Sequence, residues 1–423
     1  MRPLVLTATL LALSAAAQED PWSDEEWEDT GETTVWSGFV EMAAGTRLHD
    51  DPLQDDRTTL ADLRWRVETE RPFGRVSLSF KADAGFDGVE DETFADLREL
   101  TISLPVGDAL DVKLGRQVLT WGTGDLLFLN DLFPKDFVSF FAGRDDEYLK
   151  APSTSLRATW YGAVLGIDFA WTPVFEPDEY LTGERFSFFS PLAGGVVAPD
   201  PPISADTPDE SLANGELGLR IFRNVAGREY ALYGYRGFTK QPTALTPALE
   251  SAFAPLSVYG ASLRMPAGPG LFHGEIARYD SRDDRGGADP LVPNDQLRAL
   301  VGYEWEAIAD LTLGMQYYVE WTLDHHEMLA TAAVPAFTPD EFRHVVTGRL
   351  TWRTGRDRYT WSVFTFLSPS DRDVYLRPRF TLRYSDAWSL DAGANLFAGA
   401  EADTFFGQLE DASNVYLRLR YHY

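Results

Sequence analysis

The stretch Val415-Tyr416-Leu417-Arg418-Leu419-Arg420-Tyr421-His422-Tyr423 decides the fold. Val415, Leu417, Leu419, Tyr421 and Tyr423 fall on every second position, and Arg418, Arg420 and His422 fall between them. Side chains of a strand alternate between its two faces, so this spacing writes one apolar face and one basic face. A strand that crosses a lipid bilayer needs that pattern over about nine to eleven residues, apolar side toward the lipid.

The same alternation recurs along the chain. Leu63, Trp65 and Val67 oppose Asp62, Arg64, Arg66 and Glu68, and Leu165, Ile167, Phe169 and Trp171 oppose Asp168. Further on, Leu311, Leu313, Met315, Tyr317, Val319 and Trp321 oppose Thr312, Gln316 and Glu320. Leu376, Phe380, Leu382 and Tyr384 oppose Arg377, Arg379 and Arg383. The segments near Ala231 and Phe272 alternate less clearly. Aromatic residues make up 13% of the 423-residue chain and recur throughout, and no linker divides it. Length alone would suggest two or three soluble domains, whereas this pattern predicts one large barrel over 34–423.

Connections sharpen the expectation. Short turns are expected at Pro72-Phe73-Gly74, Val106-Gly107-Asp108, Tyr161-Gly162, Pro266-Ala267-Gly268, Thr354-Gly355-Arg356 and Ser385-Asp386. Longer polar connections are expected over 122–153, 173–214, 239–255, 280–295 and 324–342. Short turns alternating with long loops distinguish the periplasmic and extracellular ends of bacterial barrels. The fold class is therefore all-β: a transmembrane antiparallel up-and-down β-barrel of about eighteen strands, with about sixteen as the alternative count. A β-sandwich would not need so many strands of even length. A plugged receptor would need a folded domain ahead of its first strand, and only an acidic stretch is there. The last strand then resembles the C-terminal recognition strand of outer-membrane barrels, with Leu419, Tyr421 and Tyr423 as the assembly signal.

At the other end, Arg2, the apolar run 4–13 and Ala15-Ala16-Ala17 form a secretory signal pattern, expected to be removed after residue 17. Its apolar run is too short to span a bilayer as a helix. The following segment, 18–33, holds Glu19, Asp24, Glu25, Glu26, Glu28 and Asp29 and is expected to be an acidic disordered tail, with a docking role as the alternative. There is no cysteine, hence no disulfide and no lipid on a cysteine.

The formal net charge is −29. Much of that excess is expected in loops: Asp50, Asp51, Asp55 and Asp56; Asp87, Glu90, Asp91 and Glu92; Asp145, Asp146 and Glu147. Their plainest roles are solubility, repulsion of neighbouring surfaces, and bridging to lipopolysaccharide through divalent cations. No spaced calcium-loop pattern is present. The expected lumen carries Arg64, Arg66, Arg349, Arg353, Arg377, Arg379, Arg383, Arg418 and Arg420. First and last strands of a barrel are neighbours, so most of these would form one basic wall that concentrates anions. Equally, Asp62, Glu68, Glu99, Asp168, Glu216, Glu304 and Glu320 point inward and could pair with them as a structural ladder.

The segment after the fifth expected strand is the most distinctive. It reads Gly115-Arg116-Gln117-Val118-Leu119-Thr120-Trp121-Gly122-Thr123-Gly124-Asp125, and Lys135 sits between Pro134 and Asp136 beyond it. Phe128, Leu132, Phe133, Phe137, Phe140 and Phe141 make this loop too apolar for water. It is expected to fold into the barrel as a constriction built on Trp121, Asp125, Phe128, Phe133, Lys135, Phe137, Phe140 and Phe141. Contact with lipid or a partner is the alternative. Strand parity would put Arg116 in lipid, at a cost of a few kcal/mol near mid-bilayer. A bulge at Gly115 is expected to re-aim Arg116 into the lumen.

The run GRQVLTWGTGD followed by LFPKDF resembles a strand and loop of two groups of large Gram-negative barrels, the DUF1302-type porin-like proteins and the alginate-export family. The second resemblance implies an eighteen-stranded channel with an arginine-rich lumen that passes an anionic polysaccharide. The motif covers only a small part of the chain.

Enzyme readings lack a local motif. The six histidines include the run Asp324-His325-His326-Glu327, expected in a solvated loop rather than as metal ligands. The reading is therefore not an enzyme: no cofactor, no metal and no nucleic-acid partner is expected. It is an outer-membrane channel of a Gram-negative bacterium, passing small anionic solutes through an arginine-lined lumen narrowed by the inward loop. The alternatives are a polysaccharide-export barrel and, from another class, an outer-membrane hydrolase or an adhesion barrel. Expected partners are membrane lipid and lipopolysaccharide, the barrel-assembly machinery and the solute itself, with a monomer as the default.

Overall fold

A computed structural model describes residues 35–423; the expected signal peptide (1–17) and acidic segment (18–33) lie outside the described residues. Each alternating segment forms a strand, and eighteen of them join in one antiparallel sheet. In chain order these are β1 (Ser37–Arg47), β2 (Thr58–Phe73), β3 (Val76–Asp87), β4 (Glu92–Val106), β5 (Leu110–Gln117) and β6 (Ser153–Tyr161). There follow β7 (Gly166–Thr172), β8 (Glu216–Val225), β9 (Arg228–Phe238), β10 (Pro255–Ala267), β11 (Gly270–Ser281) and β12 (Gln296–Ile308). The last six are β13 (Leu311–Thr322), β14 (Phe342–Thr354), β15 (Tyr359–Ser368), β16 (Asp373–Arg383), β17 (Trp388–Gly399) and β18 (Asn414–His422).

Every strand pairs with its chain neighbours, and β18 pairs back onto β1 from Phe39↔His422 to Arg47↔Asn414. Closure leaves no sheet edge exposed, which removes the usual liability of unpaired backbone. The faces divide as the alternation requires. Leu63, Trp65, Leu417 and Leu419 stand exposed on the outer wall, while Arg64, Arg66 and Arg418 are buried within. No described helix is long and apolar enough to cross a membrane.

Tyr423 reinforces the closure. Its backbone N–H donates to Gly38 O and its carbonyl accepts from Gly38 N–H. The Tyr423 hydroxyl reaches across β1, accepting from Trp65 Nε1 at 2.7 Å and donating to Arg66 O at 2.8 Å. Only a glycine permits that crossing, because a Cβ at Gly38 would lie 2.0 Å from Arg66 O and 2.8 Å from the Tyr423 hydroxyl.

One end of the barrel carries the tight turns, including Gly107 and Gly268 at φ 66° and 58°, a region favourable to glycine. The other carries the long connections 48–57, 118–152, 173–215, 239–254, 282–295, 323–341 and 400–413. Short and long do not alternate strictly: 88–91 and 369–372, at the long-connection end, are tight as well. The blurred segments near Ala231 and Phe272 are full strands, β9 and β11. Tyr233 and Tyr235 face inward on β9, where their hydroxyls bond Ser262 and Glu216, and this places aromatic rings on the polar side of the pattern. The run His325–Thr331 is a short helix within its connection.

Candidate functional site

The connection 118–152 folds into the barrel and runs around the inside of its wall. Trp121 begins the path, donating to Asp168 on β7 and stacking edge-on against Phe133. Next, Thr123 N–H bonds the Glu275 carboxylate on β11, and Gly124 N–H reaches the same oxygen at 2.8 Å. Asp125 then pairs with Arg349 on β14, with Nη2 2.8 Å from Oδ1, while Gln316 on β13 holds its backbone.

The chain returns toward β10 and β11. Asn130 donates to Glu275, and Leu129 O accepts from Tyr279. Lys135 is buried; it pairs with Asp131 at 3.0 Å and lies over the Phe128 ring. A helical turn, Phe137–Ala142, is capped by Asp136 and ended by Gly143 at φ 90°. Its Phe140 and Phe141 pack on Tyr375 and Phe397 of β16 and β17. Asn395 and Asn414, both fully buried, donate to Phe141 O at 2.9 and 3.0 Å.

The last part of the circuit meets the arginine wall. Asp145 pairs with Arg418 at 3.2 Å and Arg379 at 3.4 Å, and Asp146 pairs with Arg377 at 2.5 Å. Arg420 lies 3.6 Å from Asp145 and 2.9 Å from Glu41. Glu147 bonds Arg66, whose guanidinium also donates to Asp83 and the Tyr148 hydroxyl. Arg64 also pairs with Asp83, at 3.1 Å, and lies over the Tyr148 ring. Arg144 bridges Asp62 on β2 to Asp87 on β3. Finally Arg98 of β4 donates to the carbonyls of Glu147 and Lys150, bringing the loop back beside its starting strand. Burial raises the Asp145 carboxyl, but Arg418, Arg379 and Arg420 outweigh it and hold the group well below its ordinary range. Asp146 is lowered likewise by Arg377 and Arg379 against its burial.

These contacts place the sequence-derived residues. All eight constriction residues belong to the ring. Arg64, Arg66, Arg377, Arg379, Arg418 and Arg420 gather on its far side, while Arg349 anchors its near turn. Arg353 and Arg383 face inward but stand exposed at the tight-turn end, apart from the ring. Leu419, Tyr421 and Tyr423 project from the outer wall at that same end.

Arg116 departs from the expectation. Gly115 adopts φ 128°, yet the register runs on unshifted, with Thr101↔Gly115 and Leu100↔Arg116. Arg116 therefore shares the outer face with Leu100 and Leu114, one residue from the long-connection end of β5. There it pairs with Glu176 at 2.9 Å and donates to Leu97 O. A rim position with a carboxylate in reach removes the need for a re-aiming bulge.

The loop acids also depart from expectation. Asp145, Asp146 and Glu147 turn inward onto arginines. Asp51 and Asp87 are buried, Asp51 accepting from Ser187 and Asp87 pairing with Arg144 and Arg185. Sequence reasoning missed Arg144 and Tyr148 altogether. A signal was there, since a loop that folds inward carries its charges with it. Among the described residues no group of three His, Cys, Asp or Glu side chains is arranged to hold a metal.

No protein-family model matches the sequence, and no curated protein sequence matches it. Solved structures do. OccAB4 of Acinetobacter baumannii is 9% identical with a TM-score of 0.55, over 92% of this chain and 97% of that one. OccAB1 of the same organism is 11% identical with a TM-score of 0.54, over 92% and 96%. OccK10 (OpdN) of Pseudomonas aeruginosa is 11% identical with a TM-score of 0.50, over 92% and 99%. At such identities the likeness is one of architecture, and the chain has the fold of an outer-membrane β-barrel.

Proposed function

We propose that this chain is a channel of the Gram-negative outer membrane, passing small solutes by a route whose bore the 118–152 ring sets. The observation that carries this reading is the ring itself, anchored at Arg349 on one side and at Arg377, Arg379 and Arg418 on the other. A wall that served only as an adhesive or structural shell would not need a loop held against its interior on both sides.

Anion preference, on this proposal, is held in reserve. The arginines supply a positive field only to the extent that carboxylates leave it free, and Asp145, Asp146, Glu147, Asp83 and Asp391 are already against them. The wall thus acts first as a latch for the ring. Descent shared with the DUF1302-type and alginate-export groups is proposed on the runs 115–125 and 132–137 alone. Export of a chain-like anion would require the ring to leave its arginines. We propose also a monomer among lipopolysaccharide, inserted by assembly machinery that reads Leu419, Tyr421 and Tyr423.

Planar-bilayer recording tests the channel reading. Discrete ion conductance through the purified barrel supports it, and electrically silent, correctly folded barrels would refute it.

A further inference from the structure

Interiors of outer-membrane barrels are polar, yet this one encloses a large apolar space. Between the ring and the wall of β10 to β15 lies a cavity of about 400 Å³ whose lining includes Leu126, Leu127, Phe128 and Leu132. A second chamber of about 710 Å³ lies beneath the outer connections, lined in part by Leu181, Phe188, Leu291, Val334 and Phe337. Phe137, Phe141 and Phe405 line both, so the two make one continuous recess.

The charges at this recess are already answered by the protein. Lys135 pairs with Asp131 at 3.0 Å, Lys240 with Glu216 at 2.6 Å, Arg298 with Glu320 at 3.1 Å and Arg343 with Asp371 at 2.6 Å. Asp178, the acid left over in the inner lining, accepts from the Lys135 backbone N–H at 2.7 Å and from Gln241 at 2.8 Å. The Tyr279 and Tyr318 hydroxyls donate to Leu129 O and to Glu320. Asp289 is the one charged residue among the described lining of the outer chamber; it is exposed and accepts from Leu291 N–H. A charged ligand would lose its water here and meet no free counter-charge.

The space is also held open. Tyr279 fixes the ring backbone at Leu129 O, and Asn395 and Asn414 fix it at Phe141 O, so the ring cannot sink into the void beside it. Apolar cavities that cannot close hold water poorly and take up apolar molecules. Both chambers fall in the range of about 300–1,000 Å³ usual for small-molecule sites.

We propose that this recess binds an uncharged hydrocarbon, of the class of an alkyl-substituted benzene. The aromatic ring lies against Phe137, Phe141 and Phe405, where edge-on and offset ring contacts are favourable. The alkyl chain extends outward between Leu291 and Phe337. Binding of this kind goes beyond the channel reading and does not depend on it, since a recess can hold a ligand whether or not ions pass.

The test uses the full barrel in lipid nanodiscs and an octylbenzene carrying a diazirine on its chain, photolysed and mapped by mass spectrometry. Labelling is expected within 126–141 and at 289–293 and 334–338, saturable and competed by unlabelled octylbenzene. Its charged analogues, para-octylbenzoate and para-octylbenzyltrimethylammonium, are expected to compete at least ten-fold more weakly. Phe337→Asp and Leu291→Asp, each in a half-buried outer position, are expected to lower recess labelling at least ten-fold. Labelling of the lipid-facing wall should stay the same in both, as the internal control, and so should the heat-modifiable gel shift. Labelling confined to the lipid-facing wall, recess labelling unchanged in both variants, or competition by either charged analogue as good as by octylbenzene would overturn the proposal. Conductance recorded on the same preparation reports on the channel reading separately.

Discussion

Asp145, from a loop between β5 and β6, sits 3.2 Å from Arg418 on the final strand, and Arg418 is 1% exposed. Two residues 273 positions apart are thus joined at the seam where the barrel closes. Removing one partner of a buried ion pair costs about 3–5 kcal/mol, because the other charge stays buried and unpaired. Arg418 keeps Asp391 at 3.5 Å and Glu41 at 3.9 Å, so the loss of Asp145 is cushioned and the barrel survives it. What should fail is the ring's attachment.

The near anchor is weaker. Asp125 and Arg349 keep 40% and 26% of their side-chain surface exposed, so their pair contributes about 1 kcal/mol or less. Arg349→Ala is expected to leave folding intact and raise the open-channel current noise as the turn at Asp125 loosens. A noise spectrum identical to the parent's would show that this anchor does not restrain the ring.

Closure should depend on Gly38. Gly38→Ala places a methyl against Arg66 O and the Tyr423 hydroxyl, and Tyr423→Phe removes two hydrogen bonds of about 1 kcal/mol each. The heat-modifiable folded fraction on gels should fall strongly for Gly38→Ala and slightly for Tyr423→Phe. Equal behaviour of the two variants would contradict the crossing of β1 by Tyr423.

Acid should release the latch late. Arg418, Arg379 and Arg420 depress the Asp145 carboxyl below its ordinary 3.8. A depressed carboxyl contributes stability that is fully present above its unfolded value and is lost as pH falls through the folded one. Conductance should therefore stay constant from pH 7 to pH 4 and rise only in stronger acid. A rise centred between pH 5 and pH 6 would mean that some other group holds the ring.

Much of this was legible in the sequence, and the reason is parity. A period of two decides which face each strand residue takes, so Arg64, Arg66, Arg377, Arg379, Arg418 and Arg420 could be placed inside from their apolar neighbours alone. The inward course of 118–152 was legible too, from phenylalanines that water would not accept. Parity says nothing about loops, however. The acids of 145–147 look the same in sequence whether they face solvent or arginine, and only the three-dimensional return of the chain past β16, β18 and β2 decides between them. Parity also placed Arg116 correctly, on the outer face; the expectation of a re-aiming bulge arose because its depth, close to the rim and to Glu176, could not be counted without knowing where β5 ends. Arg116→Ala is accordingly expected to leave conductance and selectivity unchanged, and a clear change in either would return Arg116 to the lumen.

The central claim is that the ring, latched by Asp145 and Asp146, both narrows the route and neutralises the arginine wall. Single-channel recording of Asp145→Asn/Asp146→Asn beside the parent, with reversal potentials in a salt gradient, tests it most directly. The account predicts a larger conductance and a reversal potential shifted toward that of chloride, as the ring loosens and Arg377, Arg379 and Arg418 lose their partners. Unchanged conductance together with unchanged or more cation-leaning selectivity would contradict it.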